Sequence, residues 1–563
     1  MSGKRAEKQN PRQSGIVVFV VLLMLAFSLR VAIVRTLPND APDDGLVYDQ
    51  MARNLVEQHV YSHDTEPPYQ PSLIRMPGYS LFLAGVYKVF GHDKTAVRII
   101  QALMDTATCG MIGLLAWFWD PDKARKRASS IAAIVLAAVC PFTVIYTATI
   151  LSENAAMFFA IAMCLTATLA LRASSQKKTL LWLLVSGLIA GLAVFFRPDS
   201  GLFALAIGLT VVVATLSRPS GVALKSKREE IFYRFGRTAY LGAAFSLVFC
   251  LVLVPWTIRN HRVFHVFQPL SPAHGEMPGE FVARGYLTWT RTWIDDQRYI
   301  GPVIWQLDTS PIKLKSIPDK AFDSAEEKAR VSALLDKYNR AGEETGLFTD
   351  ENQTSKDEDA QADEADQDNS NQNNDEADNS DDADKGDEGD ENDSEDEADD
   401  SSADNQSADV AMTPEIDAGF AQLAQERIAH HPFRYYVWLP LKRASSLWFD
   451  THSDYYPFQG ELLPLRDLDH SINQQIWLPL FSGLTLVYTL LGIAGAWFLW
   501  RAGNLNTRLW LLLAALMILL RVGFFSTMEN PEPRYVVEVF PFLSVLGGIA
   551  LLRLGPGLLA KGK

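Results

Sequence analysis

The chain has 563 residues, 48% of them hydrophobic, and a formal net charge of −15. Residues 350–409 hold 27 Asp or Glu but only two Lys, with no Arg and no aromatic residue. The other 503 residues hold 49 Lys or Arg against 39 Asp or Glu, so they form a basic and very apolar chain. This division excludes an ordinary soluble globular protein and makes the overall charge a poor guide to partners.

Ten apolar segments are long enough to cross a membrane, since a hydrocarbon core about 30 Å thick requires roughly 20 helical residues. We therefore predict an all-α polytopic membrane protein with about ten transmembrane helices. The predicted spans are 15–34, 95–119, 129–148, 154–171, 180–196, 201–216, 239–257, 477–499, 509–525 and 535–554. Residues 77–91 are also apolar, but they are too short to span and predict an interfacial or re-entrant helix.

The distribution of basic residues predicts the orientation of these spans. Residues 1–14 form a basic tail before the first span, which lacks a small-residue cleavage site and is predicted to be an uncleaved anchor. Every short loop on the side of this tail is basic, as the positive-inside rule expects of cytoplasmic loops. These loops are 120–128, 172–179, 217–238 and 500–508. We therefore predict that both termini are cytoplasmic.

The predicted topology divides the chain into two membrane parts and one large extracytoplasmic loop. Residues 15–257 form the first membrane module, with 35–94 as its first outer loop, and 477–563 form the last helices and tail. The loop between them has two arms, 258–349 and 410–476, whose tryptophans suggest that they fold together. Residues 350–409 have nothing to bury and are predicted to be a disordered linker. They lack the fixed spacing of a calcium-binding loop.

Five polar clusters fall on the outer membrane face in this topology. They are Asp43–Ala52, Leu73–Tyr79, Ser152-Glu153, Arg197-Pro198-Asp199 with Pro255–Asn260, and Glu529–Tyr535. Ionisable side chains beside hydrocarbon are unfavourable unless they are paired or functional, so their convergence predicts a functional site. Several arginines together with carboxylates suit a phosphate-bearing substrate, because the planar guanidinium matches phosphate oxygens.

Four motifs in these clusters resemble the GT-C superfamily of membrane glycosyltransferases, in particular the bacterial relatives of protein O-mannosyltransferases and of the lipid A aminoarabinose transferase. The motif Asp44-x-x-x-Tyr48-x-x-x-Ala52 is similar to the family signature D-E-x-x-Y-x-x-x-A, with Gly45 where Glu is usual. The others are RMPGYSLFLAGVYKVFG at 75–91, PWTIRN at 255–260 and PRYVVEVFPF at 533–542.

This resemblance implies transfer of a sugar from a polyprenyl-phosphate donor to an acceptor hydroxyl on the outer face of the membrane. The motif register makes Asp44 the general base, and Asp43 takes the role if the register shifts by one residue. The residues expected to contact substrate are Asp43, Tyr48, Arg75, Glu153, Arg197, Arg259, Arg534 and Tyr535. The sequence contains no firm set of metal ligands, and a requirement for a divalent metal is left undecided at this point. The relatives imply a bacterial inner membrane, while the sugar and the glycan, lipid or protein acceptor stay unassigned. No nucleic acid partner is expected.

A structural role remains open for each of these residues. Asp44 could cap the amino terminus of a helix that runs to Gln58. Arginines at span ends commonly reach for the headgroups, an alternative that applies to Arg75, Arg197 and Arg259.

Two further residues have structural alternatives of a different kind. Arg534 could form an ion pair with Glu529 or Glu532. Glu153 closes a tight turn between two spans, where a structural carboxylate competes with contact to a metal or an acceptor.

Two other function classes compete with the transferase. Asp105 lies near the middle of its span, where with Arg98 and Gln101 it would suit a secondary transporter or lipid flippase. However, the first five spans are not repeated in the last five, as many transporters would require. A membrane-anchored binding protein would place the function in 258–476, but that hypothesis leaves Asp44 and Arg75 unexplained.

Overall fold

The computed structural model describes residues 11–37, 43–218, 226–348, 411–449 and 472–554. Within these ranges every regular element is helical, in agreement with the predicted all-α class. The predicted acidic linker, 350–409, lies outside the described residues, as do most of both terminal tails. The side chain of Asp43 is outside them as well.

Seventeen α-helices are numbered here in chain order over the described residues. They are α1 Pro11–Thr36, α2 Asp43–Glu57, α3 Pro77–Phe90, α4 Lys94–Trp119, α5 Lys126–Ala138, α6 Pro141–Ala148, α7 Glu153–Arg172, α8 Gln176–Phe196, α9 Gly201–Ser217, α10 Lys227–Phe264, α11 Arg284–Arg291, α12 Ala325–Glu344, α13 Pro414–His430, α14 Leu439–Phe449, α15 Ile472–Ala502, α16 Leu505–Phe525 and α17 Phe540–Leu554. Short 3₁₀ turns at Pro198–Ser200 and Pro533–Val539 precede α9 and α17.

Nine helices in the described part of the chain are long and apolar enough to span a membrane. The pair α5 and α6 is bent by 55° and makes a tenth span if it is counted as one. The prediction of about ten transmembrane helices is therefore confirmed, and the predicted span 129–148 is this bent pair. The predicted short helix at 77–91 is α3, which has 14 residues.

The chain divides into two compact units. One unit combines residues 1–279, 294–297 and 431–563, and so contains the candidate membrane helices. The other combines 280–293 with 298–430. In the second unit the ring of Phe420 packs edge-on against Tyr286, with 4.9 Å between centroids, so residues from both sides of the acidic tract share one core. Residues 258–279, the start of the predicted extracytoplasmic arm 258–349, belong to the first unit.

The bend between α5 and α6 has an identifiable cause. A helix cannot continue through Pro141 without losing a backbone hydrogen bond, so α5 ends at Ala138 with unsatisfied carbonyl groups. Arg30 of α1 donates from Nη1 to the carbonyl of Ala138 at 2.7 Å and from Nη2 to that of Ala137 at 3.2 Å. Tyr488 Oη donates to the carbonyl of Leu136 at 2.6 Å. Side chains from two other helices thus complete the end of α5.

The carboxylate of Asp105 is the partner of this arginine. Arg30 Nε lies 2.7 Å from Asp105 Oδ2, and both side chains are buried. Arg98 donates instead to the carbonyl of Leu37, and Gln101 accepts from Tyr79 Oη at 2.7 Å. The residue that suggested a transporter therefore belongs to an ion pair that joins α1 to α4.

A close helix contact positions the amino terminus of α3. A Cβ atom at Gly78 would lie 2.5 Å from the carbonyl oxygen of Phe195, so only glycine permits this approach of α3 to the end of α8. As a result Arg75, just before α3, is brought towards Arg197, just after α8.

We predict that Arg30→Met lowers the free energy of unfolding by about 3–5 kcal/mol, because it leaves the carboxylate of Asp105 buried without its charge partner. Chemical unfolding of the full chain in detergent would measure the change. The double variant Arg30→Met/Asp105→Leu should recover part of the loss. Arg35→Met on the exposed face of the same helix is the matched control, and equal stability of the two single variants would contradict the assignment.

Candidate active site

The carboxylate of Asp44 lies between two arginines that come from distant parts of the chain. Its Oδ1 accepts from Arg75 Nη2 and its Oδ2 from Arg534 Nη2, each at 2.8 Å. Asp44 is in the first turn of α2, Arg75 lies two residues before α3, and Arg534 belongs to the 3₁₀ turn before α17. We call these three residues the Asp44 cluster. Helix ends from three segments build it.

The Asp44 cluster is only partly covered. The exposed fractions of its side chains are 31% for Asp44, 35% for Arg75 and 20% for Arg534. Burial raises the pKa of the Asp44 carboxyl, but the charges of Arg534 and Arg75, with a smaller contribution from Arg197, outweigh burial and hold it below its ordinary value. The group is therefore an ionised carboxylate that a ligand can reach.

Glu532 and Tyr535 flank Arg534. Arg534 is ion-paired with Glu532, whose Oε1 also accepts from Tyr535 Oη at 2.9 Å. Burial raises the pKa of Glu532, although the charge of Arg534 opposes the rise. The ring of Tyr535 stacks on Phe525 with 4.8 Å between centroids. Arg534 thus forms the ion pair with Glu532 that was considered from sequence, and it also contacts Asp44.

A second group of charges, which we call the Arg521 cluster, is almost completely buried. Arg197 Nη1 lies 2.6 Å from Glu153 Oε1, and its Nη2 lies 3.2 Å from Asp199 Oδ2. Arg521 Nη2 binds Asp199 Oδ2 at 2.9 Å and Glu538 Oε1 at 2.7 Å. These five residues come from α7, the α8–α9 turn, α16 and the turn before α17. They tie five candidate spans together, namely α7, α8, α9, α16 and α17.

The two clusters are physically connected. Arg197 is close enough for its charge to act on Asp44. Arg521 Nε also donates to the carbonyl of Tyr535 at 2.6 Å, which fixes the backbone next to Arg534. The buried ion pairs therefore help to position Arg197 and Arg534, two of the positive charges that surround the Asp44 carboxylate.

The Arg521 cluster retains unused hydrogen-bonding capacity. Glu153 Oε2 and Glu538 Oε2 are buried and form no hydrogen bond to a described residue. Buried polar atoms without partners are unfavourable, and a bound water, ion or ligand can supply the missing hydrogen bond. Arg75 Nε in the Asp44 cluster is in the same situation within the described ranges.

Tyr48 and Arg259 support the site from two sides. The ring of Tyr48, one turn after Asp44, packs edge-on against Tyr79 of α3 at 5.1 Å, and burial raises its pKa. Arg259 donates to the carbonyl of Ser72 at 2.7 Å and stacks over Trp256. Its hydrogen bonds hold the segment that leads to Arg75.

Two charged residues of the site were missed by the sequence analysis. Arg521 lies within the predicted span 509–525, and Glu538 lies within the predicted span 535–554. An ionisable residue inside a predicted span is by itself a signal of function, and that signal was applied only to Asp105. Arg30, the ion-pair partner of Asp105, lies inside the first predicted span and was missed in the same way.

No group of three or more His, Cys, Asp or Glu side chains in the described ranges is arranged to hold a metal ion. The acidic residues of the Arg521 cluster face arginines instead. A divalent metal is therefore not assigned to any residues here.

Comparison with known protein families gives one match, which covers part of the membrane region. Residues 70–256 match the family described as dolichyl-phosphate-mannose-protein mannosyltransferase. This range includes Arg75, Glu153 and Arg197. The resemblance to GT-C membrane glycosyltransferases is confirmed. No curated protein matches the chain significantly.

Solved structures of this class show only a distant likeness. The oligosaccharyltransferase of Archaeoglobus fulgidus with a tethered acceptor peptide has a TM-score of 0.46 and 11% identity, with 98% of this chain and 50% of that chain covered. The same archaeal enzyme with an inhibitory peptide and dolichol-phosphate gives 0.45 and 11%, covering 98% and 53%. ArnT from Cupriavidus metallidurans bound to undecaprenyl phosphate gives 0.34 and 12%, covering 96% and 78%. The chain spans about half the length of the archaeal enzyme, and such low scores carry no information about chemistry.

We predict that Arg521→Met lowers the free energy of unfolding by about 3–5 kcal/mol, because Glu538 and Asp199 then stay buried with one cation fewer. Arg508→Met, an exposed arginine of the same helix, is the control and should change stability little. Both are measured by chemical unfolding in detergent. A stable Arg521→Met protein would show that the cluster is not the structural tie described above.

Proposed function

We propose that the protein transfers a sugar from a polyprenyl-phosphate donor to an acceptor hydroxyl, with Asp44 as the general base. The observation that carries the proposal is the carboxylate of Asp44 held at 2.8 Å by both Arg75 and Arg534. A reaction of this kind needs cations for the phosphate and a carboxylate for the hydroxyl proton. The family match over 70–256 supports the same donor class through its description.

Each bond change has a residue suited to it. The acceptor oxygen attacks the anomeric carbon of the donor, and its proton passes to the Asp44 carboxylate. The bond between the anomeric carbon and the phosphate oxygen breaks, and its electron pair stays with the lipid phosphate. Arg75 and Arg534 stabilise the negative charge that develops there, because a guanidinium binds phosphate oxygens through two parallel N–H bonds. Arg75 Nε is buried and binds no described residue, so a change of the Arg75 rotamer would let it donate to a phosphate oxygen.

Sharing of the arginines between carboxylate and phosphate would control the base. Without donor, both arginines lower the pKa of Asp44 and so weaken it as a base. A bound phosphate draws guanidinium N–H groups away from the carboxylate and adds a negative charge nearby. Both changes raise the pKa of Asp44, so donor binding makes the carboxylate more basic when the acceptor must be deprotonated.

The helix ends support a site at one membrane face. Arg197 follows the last residue of α8, Asp199 precedes α9, and Arg534 precedes α17. The basic loops 120–128 and 172–179 lie at the opposite ends of their helices. By the positive-inside rule we place the site on the extracytoplasmic face of a bacterial inner membrane, with both termini cytoplasmic.

We predict that Asp44→Asn reduces transfer about 10²–10⁴-fold, since the amide cannot accept the proton. Arg75→Gln and Arg534→Gln should each reduce transfer about 10–150-fold, the value of a hydrogen bond to a charged group. Purified protein in nanodiscs with labelled polyprenyl-phosphate hexoses and pentoses, and an envelope acceptor fraction, would measure label leaving the lipid.

Matched controls make this assay specific. Arg53→Gln removes a partly exposed arginine from the same helix as Asp44 and should retain transfer. Asp43→Asn tests the neighbouring carboxylate. Loss only in Asp43→Asn would move the base by one residue, whereas full activity of Asp44→Asn and Asp43→Asn together would refute a carboxylate base in α2.

A separate prediction concerns pH. Because the pKa of Asp44 is lowered in the free enzyme, the acid limb of kcat/KM should lie below the ordinary range of an aspartate. The acid limb of kcat, which reports the donor complex, should lie at higher pH. In Arg75→Gln the acid limb of kcat/KM should move to higher pH, while Arg53→Gln should leave its pH unchanged. Identical limbs in wild type and Arg75→Gln would contradict the electrostatic role of Arg75.

A further inference from the structure

An apolar groove runs along the membrane part, and none of its lining residues belongs to the Asp44 or Arg521 cluster. It is formed by α8, α9 and α10 and has a volume of about 340 Å³. Its walls include Leu183, Gly208, Leu241, Gly242 and Phe249. Ligand pockets commonly have volumes of about 300–1,000 Å³, so the groove has room for part of a small ligand or a lipid chain.

Glycines create the open side of this groove. A Cβ atom added to Gly208 of α9 or to Gly242 of α10 would meet no other atom within 4 Å. The helices nevertheless stay joined at one end, where the hydroxyls of Thr215 and Thr238 lie 2.7 Å apart. The groove is therefore unfilled space between tied helices, and larger side chains at either glycine would project into it.

A smaller basic pocket continues the groove. It has a volume of about 140 Å³ and is lined by Lys177, Thr179, Arg237 and Tyr240, and it shares Leu241 with the groove. The pocket is at the amino end of α8, whereas Asp199 and the Arg521 cluster are at its other end. Since α8 has 21 residues, about 30 Å separates the two ends.

The cations of this pocket have no acidic partner in the described part of the chain. Neither Lys177 nor Arg237 forms an ion pair with any residue that the structure describes. Arg218 lies near enough that burial and the charge of Arg237 together lower its pKa. Arg218 itself donates to the carbonyl of Leu171 and to Asn506 Oδ1. Unneutralised positive charge therefore accumulates where the apolar groove reaches the membrane surface.

We propose that the groove and pocket together bind one anionic phospholipid, with its phosphate on Lys177 and Arg237 and an acyl chain between α9 and α10. Basic residues at a membrane surface attract anionic headgroups, and the adjoining groove accepts the chain of the same molecule. The lipid belongs to the leaflet at the amino end of α8, opposite the proposed transfer site. This inference does not depend on the proposed function.

Native mass spectrometry of the full chain can test the chain-binding part. Wild type is titrated with phosphatidylglycerol and, separately, with phosphatidylcholine of the same chains. Gly242→Leu places a side chain in the groove and should weaken phosphatidylglycerol binding about tenfold, because it displaces buried methylene groups. Gly236→Leu is the matched control, since its added Cβ also meets no atom within 4 Å but it does not line the groove.

Separate variants test whether the basic pocket binds the lipid headgroup. Lys177→Gln and Arg237→Gln should each weaken binding of phosphatidylglycerol about fivefold, the contribution of one basic residue near an anionic surface. Lys178→Gln changes a neighbouring exposed lysine outside the pocket and should have no effect. Phosphatidylcholine, which carries no net charge, should bind wild type more weakly than phosphatidylglycerol.

Three results would overturn the proposal. Equal phosphatidylglycerol binding by Gly242→Leu and Gly236→Leu would show that the groove holds no chain. Equal binding of the two lipids by wild type would remove the role of the cations. Displacement of phosphatidylglycerol by an equimolar polyprenyl phosphate would assign the groove to the donor instead. Retention of transfer activity in every one of these variants would leave the proposed function intact.

Discussion

Charges that lie next to hydrocarbon must be neutralised by other charges, and this requirement organises the site. Arg521 and Glu538 are completely buried and lie 2.7 Å apart. Arg197 pairs with Glu153 and Asp199 in the same cluster. An unpaired ion in such surroundings would be strongly unfavourable, so each of these residues restricts where its partners can be. The helix ends that carry them are held together as a consequence.

The Asp44 cluster uses the same chemistry with more access to solvent. Asp44 is about a third exposed, as is Arg75, whose Nε forms no hydrogen bond to a described residue. An incoming phosphate can therefore compete with the carboxylate for the guanidinium groups. The Arg521 cluster is buried and fixed, whereas the Asp44 cluster is partly exposed and can exchange partners. This difference connects the fold to the proposed reaction.

The membrane helices and the main polar motifs could be predicted from the sequence because they depend on local patterns. Apolar length predicted the spans, and motif order brought Asp44, Arg75 and Arg534 into one hypothesis. The partners of Arg521 and Glu538 could not be predicted in this way. They lie 17 residues apart across a turn, and their pairing depends on how α16 and α17 pack.

Other outcomes also depended on tertiary contacts. Asp105 looked like a transport residue until Arg30 supplied its charge partner from another helix. The bend at Pro141 was not predicted, because the apolar run 129–148 has the composition of one continuous span. The surroundings of Arg259, whose guanidinium stacks over Trp256 and binds the carbonyl of Ser72, likewise follow from packing.

The central claim is that Asp44 and the donor phosphate compete for the same two arginines. The most direct measurement is the dissociation constant of a polyprenyl phosphate for wild type and for Asp44→Asn, with the corresponding polyprenol as reference. If the claim is right, Asp44→Asn binds the phosphate more tightly than wild type although it transfers sugar far more slowly, and polyprenol binding is unchanged. Weaker or equal phosphate binding by Asp44→Asn would contradict the claim.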